Sequence, residues 1–129
     1  MPIKILSVDD EPIVYRIIEA TLGIDPRFSL IAAADGDEAI VQAKQEKPDV
    51  VLLDVDLPGK NGFEVCKAIK ADPETSGAVV VMLTAMAQPS DKQKGIDAGA
   101  DDYLPKPFSP AVLLDKLDEI AARLGAPSS

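Results

Sequence analysis

The hydrophobic positions along this chain follow two alternating patterns. Short continuous apolar runs occur at Ile3–Val8, Phe28–Ala33, Val50–Leu53 and Val79–Leu83, with a fifth around Tyr103–Leu104. Continuous runs predict strands buried on both faces, as in a parallel sheet covered by helices. Between them, apolar residues recur at helical spacing. Ile13, Ile17 and Ala20 form the stripe of the first stretch, with Val14 and Ile18 beside it. The second carries Ala39, Ile40, Ala43 and Lys44, between Gly36 and Lys47. The third carries Phe63, Cys66, Ile69 and Lys70, and the last Leu114, Leu117, Ala121 and Leu124. Asp91–Ala98 is poor in large apolar residues and gives the faintest helical signal.

The punctuation agrees with this order. Asp10-Glu11 before Pro12, and Ser109 before Pro110, predict helix N-termini. Gly23, Gly99 and Gly125 fall where helices should end. The chain therefore reads as βα repeated five times, which predicts a (βα)5 three-layer sandwich around a five-stranded parallel sheet. Its 129 residues suit one domain, expected over residues 1–124. Residues 125–129, Gly-Ala-Pro-Ser-Ser, read as a tail or the start of a linker.

Composition narrows the chemistry. The chain has no histidine and one cysteine. These residues therefore hold no Ser-His-Asp triad, no Cys-His dyad, no His-ligated metal and no internal disulfide. The 22 acidic against 13 basic residues give a net charge of −9. That balance argues against direct binding to nucleic acid or an anionic membrane. The longest apolar run, Ala78–Leu83, is far short of the ~20 residues a membrane span needs. The N-terminus reaches acidic residues too early for a signal peptide. A cytoplasmic location is expected.

Ligands of an open parallel α/β sheet bind at the carboxyl ends of its strands. Asp9 and Asp10 follow the first run, Asp54 the third, Thr84 the fourth and Lys106 the fifth. Taken singly, an Asp after a strand is usually a cap, a Thr structural and a Lys solvated. Together they form a phosphoryl-transfer set that needs no histidine. Clustered carboxylates repel unless a cation neutralises them. Mg²⁺ prefers oxygen ligands of this kind. Asp54 could then act as a carboxylate nucleophile, with Lys106 and Thr84 on the phosphoryl oxygens. Asp101 and Asp102 are expected at the surface, and Cys66 in the core.

The sequence closely resembles the receiver domain of two-component response regulators, over roughly residues 3–124. The motifs that carry the resemblance are Ile5-Leu-Ser-Val-Asp-Asp-Glu-Pro12, Asp49-Val-Val-Leu-Leu-Asp54, Leu57-Pro58 followed by Gly62, Val81-Met-Leu-Thr-Ala85 and Gly99-Ala-Asp-Asp-Tyr-Leu-Pro-Lys-Pro-Phe108. It implies the flavodoxin-like receiver topology, with Asp54 as phosphoacceptor. It also implies Mg²⁺ as cofactor, held by Asp10, Asp54 and the backbone carbonyl of Asp56, with Asp9 acting directly or through water. Thr84 and Tyr103 resemble the family's switch pair, and Lys106 its lysine, with a cis bond to Pro107. Asp56 and Met86 place no evident base on the path of a hydrolytic water, so autodephosphorylation is expected to be slow. The resemblance implies a signalling switch, not an enzyme with a separate substrate. Its phosphoryl donor would be a sensor histidine kinase or histidine phosphotransfer protein. Its output would pass to a downstream protein partner, or to an output domain on a longer chain. The face around Gln88–Ala98 and Tyr103–Lys116 would be the output face, or the face of a phosphorylation-dependent dimer.

A rival from another class is a haloacid-dehalogenase-type phosphatase. Asp54-Val-Asp56, Thr84, Lys106 and Asp101-Asp102 supply its residue types. The order fails, because the acidic pair precedes Lys106 and leads into the last strand. A nucleotide- or flavin-binding protein would want a glycine-rich first turn. Asp9-Asp10-Glu11-Pro12 is the opposite.

Overall fold

Five strands line up in one sheet: β1 Ile3–Val8, β2 Phe28–Ala33, β3 Val50–Asp54, β4 Val79–Thr84 and β5 Asp102–Pro105. The structure is a computed structural model that describes residues 2–55, 57, 61–84 and 89–124, with backbone only for 89–92. All neighbouring strands pair in parallel, in the order β2-β1-β3-β4-β5. The helices between and after them are α1 Pro12–Leu22, α2 Gly36–Glu46, α3 Gly62–Ala71, α4 Pro89–Asp97 and α5 Pro110–Arg123. This is the expected (βα)5 sandwich. The faint signal at Asp91–Ala98 is a helix, beginning two residues earlier at Pro89.

Strand alternation divides the core into two halves. Ile5, Val50, Leu52, Val81 and Leu83 point to one face, where Ile18, Leu22, Leu113, Leu117 and Ile120 of α1 and α5 cover them. Leu6, Val8, Val51, Leu53, Val80 and Met82 point to the other, beneath Ala39, Ala43, Val65, Cys66 and Ile69 of α2 and α3. Each fully buried Leu or Ile contributes ~1.5–3 kcal/mol from water exclusion.

Some expectations shift by one residue. The inward stripe of α1 is Val14, Ile18 and Leu22. Ile13 is 68% exposed, so the predicted stripe of Ile13, Ile17 and Ala20 was rotated from the true one. α5 likewise buries Leu113, Leu117, Ile120 and Ala121, and leaves Leu124 largely exposed. Glu11 occupies the N-cap of α1 but its side chain makes no cap hydrogen bond. Ser109 caps α5 as expected, accepting from the Val112 N–H at 3.2 Å. The three glycine signals for helix ends are mixed. Gly23 caps α1 in a right-handed conformation, whereas α2 ends on Lys47 with φ 47°. Gly99 takes φ +92°, a region that favours glycine. Gly125 lies outside the described residues.

The strand order reverses direction between β1 and β3. Chain leaving β1 turns toward one side of the sheet and chain leaving β3 toward the other. That divergence opens a crevice at their carboxyl ends. Asp9 and Asp54 stand there.

Candidate functional site

β1 delivers Asp9 one residue beyond its end, and β3 delivers Asp54 as its last residue. The Asp9 side chain is fully covered, and that of Asp54 is 3% exposed. Asp9, Asp10, Glu11 and Asp54 each offer a carboxylate oxygen, and these lie within 4.8 Å of one another. Lys106, one residue past β5, reaches into the group. Its Nζ lies 3.1 Å from Asp9 Oδ2, 3.3 Å from Asp54 Oδ2 and 3.3 Å from Glu11 Oε1. Burial opposes the charge on this ammonium. The Asp9 hydrogen bond, the Asp54 and Asp9 charges and the Glu11 hydrogen bond outweigh it and raise its pKa above the ordinary lysine value.

The backbone fixes this geometry from several sides. The Glu11 N–H donates to Asp9 Oδ1 at 2.9 Å, which orients that carboxylate. The Lys106 N–H donates to the Thr84 carbonyl at 2.8 Å, so the ends of β4 and β5 are tied together. Gly62 opens α3 directly against the chain after Asp54, and its N–H donates to Val55 O at 2.8 Å. A Cβ at Gly62 would fall 2.7 Å from Val55 Cα, and closer still to the Asp54 carbonyl. Any side chain there would push the end of β3 away. The sequence motif contained Gly62, but its role shows only in this contact.

Four carboxylates around one ammonium leave a formal excess of three negative charges. The donor set is all hard oxygen, which fits Mg²⁺ and suits neither a soft metal nor zinc. The set fits the cation named from the sequence.

The remaining expected residues fall as follows. Thr84 ends β4 and is 8% exposed. Tyr103 pairs with Met82 across β4 and β5 and is 39% exposed. Thr84 lies two residues beyond Met82, so Thr84 and Tyr103 share one face of the sheet. The Lys106–Pro107 bond is cis, as expected. Asp56, Ala85, Met86 and Gln88 lie outside the described residues. Cys66 is fully buried, and its thiol donates to the Ala98 carbonyl at 3.4 Å. Burial pushes its pKa up to about 11.

Asp101 lies at the surface as expected, though ion-paired, whereas Asp102 is partly covered. Asp101 Oδ2 lies 2.7 Å from Lys70 Nζ and accepts from the Val80 N–H at 2.8 Å. Asp102 begins β5, is half-buried, and lies 3.0 Å from Lys116 Nζ. Both stand at the amino end of β5, across the sheet from Lys106 at its carboxyl end. A phosphatase of the haloacid-dehalogenase type would need that acidic pair beside Asp54. The residue that the sequence reading missed is Glu11. It was placed as a helix cap, but its carboxylate is the third on Lys106.

The comparisons with known proteins agree with this arrangement. The response regulator receiver domain family matches residues 5–118. The chain belongs to that family and is a receiver domain of two-component response regulators. It is 41% identical over 128 residues to the alkaline phosphatase synthesis transcriptional regulatory protein PhoP of Bacillus subtilis, covering 98% of this chain and 52% of that protein. It is 40% identical to the DNA-binding response regulator MtrA of Mycolicibacterium smegmatis, over 88% of this chain and 48% of that one. The chain thus spans about half the length of these relatives. Among solved structures, chemotaxis protein CheY4 of Vibrio cholerae superposes with a TM-score of 0.87 at 35% identity, over 93% of this chain and 99% of that one. The receiver domain of sensor histidine kinase PA1611 of Pseudomonas aeruginosa has a magnesium ion coordinated in its active site cleft. It matches with a TM-score of 0.84 at 31% identity, over 95% of this chain and 99% of that one. Among the described residues, no helix is long and apolar enough to cross a membrane.

Proposed function

We propose that Asp54 is the phosphoacceptor of this receiver, and that Asp9, Asp10 and Asp54, with the Asp56 carbonyl, hold Mg²⁺. The observation that carries this reading is the buried Asp54 carboxylate, 3.3 Å from Lys106 Nζ and inside a group with excess negative charge. Bound Mg²⁺ supplies the positive charge that lets an anionic phosphoryl group approach these carboxylates.

This chain's own residues do the rest. An Asp54 carboxylate oxygen attacks phosphorus. The bond from phosphorus to the donor's imidazole nitrogen breaks, and that nitrogen keeps the electron pair. Lys106 neutralises charge on the phosphoryl oxygens, and the Thr84 hydroxyl donates to one of them. Drawing Thr84 inward makes room for Tyr103 on the same face, and α4, β5 and α5 carry the change outward.

The domain is a switch that catalyses only its own phosphoryl transfer and hydrolysis. With no histidine in these 129 residues, the donor is a phosphohistidine on a sensor kinase or phosphotransfer partner. The net charge of −9 leaves this domain unsuited to holding DNA itself. Its signal passes to a protein, either a downstream partner or an output domain, with phosphorylation-dependent dimerisation as one route. The cytoplasm is where such a donor works.

Incubation with acetyl phosphate and Mg²⁺ tests the assignment. The protein should gain one phosphoryl group, seen by intact mass, and Asp54→Asn should gain none. Undiminished labelling of Asp54→Asn would refute the assignment.

A further inference from the structure

Lys106 Nζ donates to Asp9 Oδ2 at 3.1 Å and to Glu11 Oε1 at 3.3 Å, and lies 3.3 Å from Asp54 Oδ2. A phosphoryl oxygen that meets Lys106 competes with these carboxylates for its N–H donors. The Asp9 and Asp54 side chains are 0% and 3% exposed, while that of Glu11 is 55% exposed. Asp9 is also fixed by the Glu11 N–H at 2.9 Å. Glu11 has no such restraint. It stands at the N-cap of α1, yet its carboxylate makes no cap hydrogen bond. It reaches a lysine 95 residues away.

We infer that Glu11 is a positioning residue, a displaceable latch that holds Lys106 until an incoming phosphoryl group takes its place. The inference rests on the assignment of Asp54 as phosphoacceptor. Glu11 does not touch the reacting atoms. It acts through Lys106, and it competes with the phosphoryl oxygens for the same N–H donors. Its negative charge at the mouth also opposes small anionic donors. Its loss should therefore speed phosphorylation, whereas loss of a metal ligand would slow it.

Two variants separate the contact from the charge. Glu11→Gln removes the charge and weakens the bond to Lys106. Glu11→Asp keeps the charge on a side chain one methylene shorter, which draws the carboxylate back from Nζ. Initial labelling rates at subsaturating acetyl phosphate would be measured with Mg²⁺ at saturation, and Mg²⁺ affinity separately by calorimetry. The exchange rate of the Lys106 ammonium protons would be followed by NMR of protein with ¹⁵N-labelled lysine.

The latch predicts labelling about three- to ten-fold faster in both variants, Mg²⁺ affinity within about three-fold of the parent, and faster Lys106 proton exchange. Slower labelling with Mg²⁺ affinity down ten-fold or more would make Glu11 a metal ligand and overturn the inference. Rates unchanged in both variants would overturn it too. So would acceleration in Glu11→Gln with Glu11→Asp at the parent rate, which would be a field effect without a latch. A parent protein that takes no label on Asp54 would instead refute the phosphoacceptor assignment on which the latch depends.

Discussion

Two lysines, at opposite ends of the sheet, show how the same pairing of ammonium and carboxylate can serve different ends. At the amino ends of the strands, Lys70 Nζ lies 2.7 Å from Asp101 Oδ2, 2.6 Å from the Ala78 carbonyl and 3.4 Å from that of Ser76. One charge meets one charge, and the other protons go to neutral carbonyls. The pair ties the C-terminal part of α3 to the start of β4 and to the turn before β5. At the carboxyl ends, Lys106 meets three carboxylates at 3.1–3.3 Å, with Asp10 close by. The lower cluster is balanced as it stands. The upper one carries a formal excess of three negative charges. An unbalanced cluster of charged groups in a crevice is more often a mark of a site than a brace.

The sharpest way to break this comparison is to remove one member from each end. Asp54→Asn should lose all labelling by acetyl phosphate. Its thermal stability without divalent cations should be equal to or above that of the parent, because one of four crowded negative charges is gone. Lys70→Met should do the reverse. It leaves Asp101 half-paired and two carbonyls without their donor, which costs about 1–3 kcal/mol by thermal or urea unfolding. Its labelling rate should stay within two-fold of the parent. If Lys70→Met lost labelling, or Asp54→Asn lost stability like a core variant, the two clusters would not differ in kind.

Cys66 probes the interior beside Lys70. Its thiol is held neutral, with a pKa raised by burial to about 11, against ~8.5 for a free cysteine. The native state therefore resists ionisation that the unfolded chain accepts. This contribution to stability is full below pH ~8.5 and is lost as pH rises toward about 11. At pH 8 the native thiol should be inert to an aromatic disulfide reagent and react at once in denaturant. Fast native reaction would show that α3 opens locally.

The smallest effect is expected at Ser7, one residue short of the strand end that leads into the rim. It is 1% exposed, and its Oγ has no hydrogen-bond partner among the described residues. Ser7→Ala should raise stability, by about 1 kcal/mol, since a buried hydroxyl without a partner costs ~1–3 kcal/mol. A loss of stability would mean that the hydroxyl is satisfied in solution, and that the polar cost near the rim is smaller than the structure implies.

The strands were legible because a sheet buried on both faces needs no alternation, and Val50–Leu53 and Val79–Leu83 show none. Asp9, Asp54, Thr84 and Lys106 were legible for a related reason. A strand end is a position along the chain, and parallel topology turns those positions into one rim. What the sequence could not show was orientation and distant pairing. α1 has apolar residues on two adjacent stripes, and its docking against β2 and α5 selects Val14, Ile18 and Leu22 over Ile13, Ile17 and Ala20. Asp102 looked solvated because its cation, Lys116, lies on α5. Glu11 looked like a cap because its cation lies 95 residues away. Each of these errors concerned a side chain whose partner belongs to another element.

The central claim is that the upper cluster exists to bring a phosphoryl group to Asp54. The most direct measurement is to locate the label after reaction with acetyl phosphate and Mg²⁺. Borohydride reduction converts an aspartyl phosphate to homoserine, and peptide mass spectrometry then reads its position. The account predicts homoserine at residue 54. Conversion at residue 9, 10 or 56 instead would contradict it.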